Sequence, residues 1–303
     1  MKIGIIGTGS MGKNHVRVVD SIDELDLVSV MDSNKQTLED VKKNYPNVSV
    51  YDDYRKLTDG VDAVMVSTPT IFHYEIAKYF LKNNKNVLIE KPIAETVEQA
   101  EELTKLAKEK NLVLGVGHLE RFNPAVEYVN KNVKSPMFIE IQRLGSFSPR
   151  SLDIDVIMDL MIHDLDIVLN WDKSGLKQVN ASGIPIISKK IDIANVRLEF
   201  NSGLVANITA SRVSQSKTRK LRIFQKSGYF SVDYQKKTVK TYGIKDGNIY
   251  EILPEINNVE PLYNLWKNFY KTITTKTNYN VTAEDATKAL KLAKEIAEKI
   301  KNK

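Results

Sequence analysis

A short apolar, β-branched run that ends in a glycine-rich turn constrains this 303-residue chain more than any other feature. Residues 2–6 read as a buried strand, and Gly7-Thr8-Gly9-Ser10-Met11-Gly12 follows at once and opens a helix. The first glycine permits a tight turn, the second lets a ligand approach the backbone, and the third lets the helix pack closely on the strand. Free N–H groups at the start of a helix attract phosphate, so strand, turn and helix together predict a pyrophosphate site. Asp32 closes the next strand-like run, 25 positions beyond Gly7. A carboxylate there accepts hydrogen bonds from ribose hydroxyls and repels a 2′-phosphate, which favours NAD over NADP. Ser33, Asn34 and Lys35 follow directly and suit a phosphate if Asp32 turns aside, so NADP stays open.

The same rhythm continues, with strand-like runs at 27–31, 61–68, 86–90 and 112–117 separated by helix-length segments. That alternation predicts a parallel sheet with crossover helices, an α/β Rossmann domain over residues 1–120. Thr70 marks one helix start, and Thr96 with Gln99 forms a capping box at another. After Asn123-Pro124 the pattern changes to alternating runs at 137–145, 195–200, 204–211, 220–225, 229–233 and 238–242, with one long helix at 151–171. Residues 121–303 are thus expected to form an α+β domain with a mainly antiparallel sheet backed by few helices, the domain for substrate binding and oligomerisation. A closing helix begins at Thr282 and carries the apolar stripe Ala286, Ala289, Leu290, Ala293, Ile296, Ala297 and Ile300, which reads as packing. The sheet is expected to be too apolar to leave one face in water, which predicts a homodimer or homotetramer through that face.

Composition narrows the function. With no cysteine, the chain has no disulfide, thiolate nucleophile or cysteine-ligated metal, and a cytoplasmic location is the expectation. No run approaches the roughly 20 apolar residues of a membrane span, and the N-terminus lacks the form of a signal peptide. The net charge of +6 comes from lysines interleaved with glutamates on helices, without a nucleic-acid motif. Arg121, Arg143 and Arg150 instead fall close together, a pattern suited to an anionic small molecule.

Two further strand ends, Ser67-Thr68-Pro69 and Glu90-Lys91-Pro92, fall where open α/β sheets bind ligands. Lys91 is placed to stabilise a developing alkoxide, although Glu-Lys-Pro alone is also the make-up of a surface turn. In the 151–171 helix, Asp155, Asp159, His163, Asp166 and Asn170 project within an arc of about 80° at 3.6 residues per turn. Apolar residues surround that arc, with Asp164 as the exception, which points to a polar wall lining a cleft. Asp159 and His163 stand four apart, so the carboxylate can orient the imidazole and make His163 a general base. His15, His73 and His118 read as structural or cofactor-shell residues. No HxH, HxxxH or HExxH spacing is present, so no metal site is expected.

In order, and over nearly the whole chain, these motifs resemble the glucose–fructose oxidoreductase, inositol dehydrogenase and rhizopine-catabolism (Gfo/Idh/MocA) family. The resemblance implies a Rossmann domain joined to an open-faced antiparallel sheet, and a nicotinamide dinucleotide held by Gly7, Thr8, Gly9, Ser10, Met11, Gly12, Asp32, Ser67, Thr68, Pro69, His73, Glu90 and Lys91. It also implies that Lys91, Asp159 and His163 match the catalytic positions: hydride leaves a secondary alcohol carbon for the nicotinamide while His163, alone or with Lys91, takes the hydroxyl proton. The Gly-Gly pair that many members carry before this helix is absent here, where Asp155-Val156-Ile157-Met158 stands, so a sugar or inositol substrate is less well supported. Gly117-His118-x-Glu120-Arg121-Phe122-Asn123-Pro124 most resembles members acting on UDP-N-acetylated sugars, the UDP-N-acetylglucosamine 3-dehydrogenases above all. On that footing Arg121, Arg143, Arg150 and the basic stretch 212–222 meet a diphosphate, Asn123 meets the sugar, and Lys91, Asp159 and His163 meet the reacting carbon. Two rivals remain: a dehydrogenase of a free sugar, inositol or other polyol, and a dinucleotide-sensing regulator without turnover.

Overall fold

Strands that are apolar at every position need cover on both faces, and the first part of the chain meets that need with a parallel sheet. In this computed structural model, which describes residues 1–147 and 154–302, β1 (Lys2–Ile6), β2 (Asp26–Met31), β3 (Ser49–Tyr51), β4 (Ala63–Val66), β5 (Asn86–Ile89) and β6 (Leu114–Val116) pair in the order β3-β2-β1-β4-β5-β6. Ile3, Ile5, Ile6 and all of β4 are fully enclosed. The helices α1 (Ser10–Asp20), α2 (Lys35–Asn44), α3 (His73–Lys82) and α4 (Val97–Glu109) connect the strands. Thr96 and Gln99 exchange the two hydrogen bonds of the expected capping box at the start of α4. The three-residue β3 escapes sequence periodicity because it is too short to alternate visibly. The strand order reverses direction between β1 and β4, the position at which such sheets open a ligand crevice.

The second sheet contains β7 (Phe138–Leu144), β8 (Leu176–Ile184), β9 (Ile193–Phe200), β10 (Val205–Ser211), β11 (Thr218–Gln225), β12 (Gly228–Asp233), β13 (Thr238–Lys245) and β14 (Asn248–Ile252), in the order β14-β13-β12-β11-β7-β10-β9-β8. Only β7 and β10 run parallel; every other pair is antiparallel. One face, carrying Ile139, Ile141, Val196, Leu198, Ile208, Leu221 and Ile223, shares a core with α5 (Pro124–Asn132) and α6 (Ile162–Trp171).

The opposite face corrects one expectation. Instead of a broad apolar surface it presents Gln142, Asn195, Arg197, Lys220 and Arg222, all exposed. The period-two alternation that buries one set of side chains turns the polar set outward. This face also carries a cross-strand aromatic row, Phe138, Phe224, Tyr229 and Tyr242, with successive ring separations of 6.0, 5.1 and 4.3 Å, and the exposed Ile184 and Ile244.

The chain then returns to the first sheet. By its contacts it divides into one unit of Met1–Leu119 with Glu260–Thr287 and another of Glu120–Val259 with Lys288–Lys303. Glu260–Thr287 is thus grouped apart from the stretch that precedes it in sequence, because α7 (Pro261–Thr275) buries Leu262, Leu265, Trp266 and Phe269 and packs against α1. Arg17 pairs with Glu260 at 2.6 Å along the same contact. The last helix, α8 (Ala283–Lys301), starts where Thr282 Oγ1 accepts the Asp285 N–H. Its Ala289, Ala293, Ile296 and Ala297 join the core of the second unit, as its apolar stripe predicts. No described helix is long and apolar enough to cross a membrane.

One buried anion makes the second unit acid-sensitive. Asp192, fully buried, accepts the N–H groups of Ile186, Ile187 and Ser188 at 2.7–2.8 Å, the Ser188 hydroxyl at 2.7 Å and Arg212 Nε at 2.8 Å. Burial pushes its carboxyl up, but these donors outweigh burial and hold it well below the usual carboxylate range. A depressed native value stabilises the fold above the unfolded-state value and is lost as pH falls toward the native one. Thermal melts are therefore expected to show the parent losing stability progressively below about pH 4, with a flatter pH profile in Asp192→Asn. Parallel profiles in the two proteins would rule this out.

Candidate active site

The three glycines of the first turn carry different constraints. Gly7 has φ +86°, and a Cβ there would lie 2.8 Å from the Ser67 backbone. A Cβ on Gly12 would sit 1.9 Å from the Gly7 carbonyl oxygen. At Gly9 a Cβ would meet nothing within 4 Å, so the absent side chain leaves open space beside the first turn of α1. Gly9 is also the residue that caps α1, and no side chain satisfies the leading N–H groups of Ser10, Met11 and Gly12. Thr8 is fully buried, and its N–H and hydroxyl both donate to Asp32 Oδ2, at 2.7 and 3.0 Å. Asn34 N–H donates to Asp32 Oδ1 at 2.9 Å, so the carboxylate is anchored at the edge of the turn.

The ends of β4 and β5 are tied together by His73. This buried imidazole sits 2.8 Å from the Thr68 carbonyl and 2.8 Å from the Pro92 carbonyl. Burial lowers its affinity for a second proton despite these two acceptors. Ser67 hydroxyl donates to the Gly7 carbonyl at 2.5 Å, which locks the β4 end to the glycine turn, while Pro69 stands exposed at the start of the following turn. Thr68 Oγ1 is buried and has no hydrogen-bond partner among the described residues. An uncapped helix start, a glycine cradle, an anchored carboxylate and an orphaned hydroxyl at the carboxyl ends of β1, β2 and β4 fit a dinucleotide. Glu90, at the end of β5, is buried, and half-buried Lys91 follows it.

In the second unit the expected regular helix differs at its start. Residues 148–153, Arg150 among them, lie outside the described residues, and Asp155 precedes the helix, where its Oδ1 accepts the Met158 N–H at 2.9 Å. Ile157–Met161 then winds as a wider π-type turn before α6 begins. Such turns recur at functional sites because they re-aim side chains. Asp159 lies in this wide turn and His163 in the first turn of α6, both half-buried. The His163 Nδ1 atom is enclosed by protein.

Most of the expected arginines are paired with carboxylates of the fold. Arg143 donates through Nε and Nη2 to the two oxygens of buried Asp164, at 2.8 and 2.7 Å, and through Nη1 to Glu120 at 2.9 Å. Burial opposes the Arg143 charge, but Asp164 and Glu120 hold the guanidinium well above its usual range. Arg121 is buried with Asp166 at 3.5 Å, and Arg212 is bound to Asp192, Ile154 and Ser188. Asn123 caps α5 by accepting the Ala125 N–H at 3.1 Å, and its amide donates to the Tyr234 carbonyl at 3.1 Å. These four side chains therefore brace the fold around the site.

The exposed cations are Lys217 and Arg219, at the head of β11. Arg219 lies opposite Arg143 across the strand pair, and Glu120 stands 4.0 Å from it. Both line a hollow of about 150 Å³ with Arg143, Arg212, Ser146 and Asp159. Their signal in the sequence was only a basic stretch; exposure separates them from the braced arginines. No described group of three His, Asp or Glu residues is placed to hold a metal ion.

Residues 1–118 match the family model described as oxidoreductase family, NAD-binding Rossmann fold. The UDP-N-acetylglucosamine 3-dehydrogenase of Acidithiobacillus ferrooxidans is 38% identical over 248 residues, which span 80% of this chain and 77% of that protein. Its solved structure superposes with a TM-score of 0.95 and covers 100% of this chain and 98% of its own, at 32% identity. The myo-inositol 2-dehydrogenase of Thermotoga maritima is 25% identical over 78% of this chain and 77% of its own length. A glycine cradle of this form, a strand-end Glu-Lys-Pro, an Asp/His helix in a second unit and a relative of this identity over this length lead to one assignment: the chain belongs to the Gfo/Idh/MocA family of oxidoreductases.

Proposed function

We propose that this protein oxidises the 3-hydroxyl of a UDP-N-acetylhexosamine, UDP-N-acetylglucosamine first among them, to a ketone with NAD as acceptor. The hollow of the second unit carries this reading: Asp159 shares it with the exposed cations Lys217 and Arg219, so a carboxylate suited to orienting a base lies beside charge suited to a diphosphate. The A. ferrooxidans relative, named for this substrate and matched over the full length of this chain, supports the choice of sugar.

In this reading the Gly7–Gly12 turn, Thr8, Asp32, Ser67, Thr68, Pro69, His73 and Glu90 hold the dinucleotide. When bound, it supplies the ring carbon that accepts a hydride. His163 takes the hydroxyl proton on its imidazole. Asp159 orients the imidazole and stabilises the imidazolium, and Lys91 donates to the oxygen as it develops charge. One hydride and one proton leave the substrate, which converts the secondary alcohol to a ketone. The sugar's diphosphate rests on Lys217 and Arg219.

The anchored Asp32 favours NAD, because a 2′-phosphate would meet its charge. Asp32→Ser is expected to shift the ratio of NAD to NADP affinity toward NADP by about tenfold or more, as titration of both cofactors will measure. An unchanged ratio would remove Asp32 from cofactor choice. Arg219→Ala is expected to raise KM for the UDP sugar by about tenfold, with cofactor affinity unaltered; initial-rate kinetics at saturating NAD check this.

The deciding experiment is NADH absorbance on mixing the protein and NAD with UDP-N-acetylglucosamine, beside free N-acetylglucosamine, glucose and myo-inositol. Reduction only with the UDP sugar, inhibited competitively by UDP, is the expected result. Reduction only with a free sugar or inositol would replace the substrate, and silence with all of them alongside intact NAD binding would favour a sensor. The same reading includes a homodimer or homotetramer resting on the Phe138–Tyr242 aromatic row, and a monomer by light scattering at micromolar concentration would contradict it.

A further inference from the structure

The first unit contains a buried chain of donors and acceptors whose far members, Trp266 and His15, have no part in the steps above. Trp266 on α7 donates its indole N–H to His15 Nδ1 at 3.0 Å, and His15 Nε2 lies 3.0 Å from Glu90 Oε1. Glu90 Oε2 in turn accepts the Lys91 backbone N–H at 3.2 Å. His15 and Trp266 have no exposure at all, and Glu90 has 8%. The indole nitrogen can only donate, so Nδ1 of His15 must accept, and the single ring proton lies on Nε2, directed at Glu90. The missing side chain of Gly117 makes room for this carboxylate, since a Cβ there would lie 3.2 Å from it.

We infer that Trp266 and His15 are positioning residues that fix Glu90 as an ionised acceptor in one place, so that Glu90 holds Lys91 in register for the reaction. Three other groups feel this carboxylate: Lys91 beside it, His73 on α3, and the buried phenol of Tyr279 before α8. Burial works to neutralise Glu90, but the His15 hydrogen bond and the Lys91 charge prevail and keep its carboxyl below the usual value. Tyr279 is pushed well up by its burial and by Glu90, and so stays neutral beside that charge. Only the kinetic arm of the test below depends on the dehydrogenase reading.

The test begins with 15N-imidazole NMR of the intact parent protein. His15 is expected to show an unprotonated Nδ1 and a protonated Nε2. A doubly protonated ring, or a proton on Nδ1, would overturn the inference whatever the substrate proves to be. In Trp266→Phe, the second His15 tautomer, with the proton on Nδ1, is expected to appear. Turnover of UDP-N-acetylglucosamine should fall about tenfold, KM for NAD should hold, and a new ionisation should enter the acid limb of the kcat profile. Unchanged turnover and an unchanged pH profile would overturn it. Should that variant fail to fold, His15→Gln, which keeps an acceptor and a donor in line, is expected to retain most activity and His15→Leu to lose it; equal effects would defeat the relay. If the parent turns over no UDP sugar, the functional reading fails while the NMR result still stands or falls alone.

Discussion

His163→Ala is expected to lower kcat for UDP-N-acetylglucosamine by about 10²- to 10⁴-fold, the range that a positioned general base contributes. NAD affinity should stay within about twofold, because the glycine turn, Asp32 and the ends of β4 and β5 lie in the first unit and are untouched. Single-turnover kinetics with isotopically labelled C3–H substrate will read the chemical step, and fluorescence titration will read the cofactor. Asp159→Asn should lower kcat less steeply, since it leaves the imidazole present but poorly oriented. A His163→Ala protein that turned over at the parental rate would move the base elsewhere, with Lys91 the next candidate.

The largest effect on stability is expected at Asp164. Its carboxylate receives two bonds from Arg143 while both side chains are sealed from water, at 0% and 3% exposure. Asp164→Ala leaves the guanidinium enclosed with only Glu120 for balance. Removing one partner of a buried pair costs about 3–5 kcal/mol, chiefly from the uncompensated charge that remains. At this chain size that corresponds to a fall in Tm of roughly 10 °C. Replacing the two together, Asp164→Leu with Arg143→Met, should recover much of the loss, because no unpaired charge is left. Denaturant titration of the three proteins settles the matter: a change below about 1 kcal/mol in Asp164→Ala would mean that the pair is not the brace described above.

Asp164 also illustrates how far residue spacing reaches. It stood out as an exception beside the polar arc Asp159, His163 and Asp166, and the structure makes it the counter-ion of an arginine 21 positions earlier. Helical periodicity places a residue on a face, but it carries no record of what a distant strand brings to that face. The same holds for Arg121, Arg143 and Arg212, which look alike to Lys217 and Arg219 as basic residues. Their partners Asp166, Asp164 and Asp192 set them apart only once the chain has folded.

By itself the sequence determined what depends on short-range physics. The glycine turn, the Thr96–Gln99 box, the alternation of strands with helices and the apolar stripe of α8 each lie within a few turns of backbone. Sterics, capping and two- or 3.6-residue periods act on that scale. Tertiary structure alone decided three things: which cations stay exposed, how polar the open sheet is, and that α7 packs against α1 to set Trp266 against His15. The last of these joins residues 251 positions apart, and the free energy of burying or pairing a group is defined only by the neighbours that the whole fold supplies.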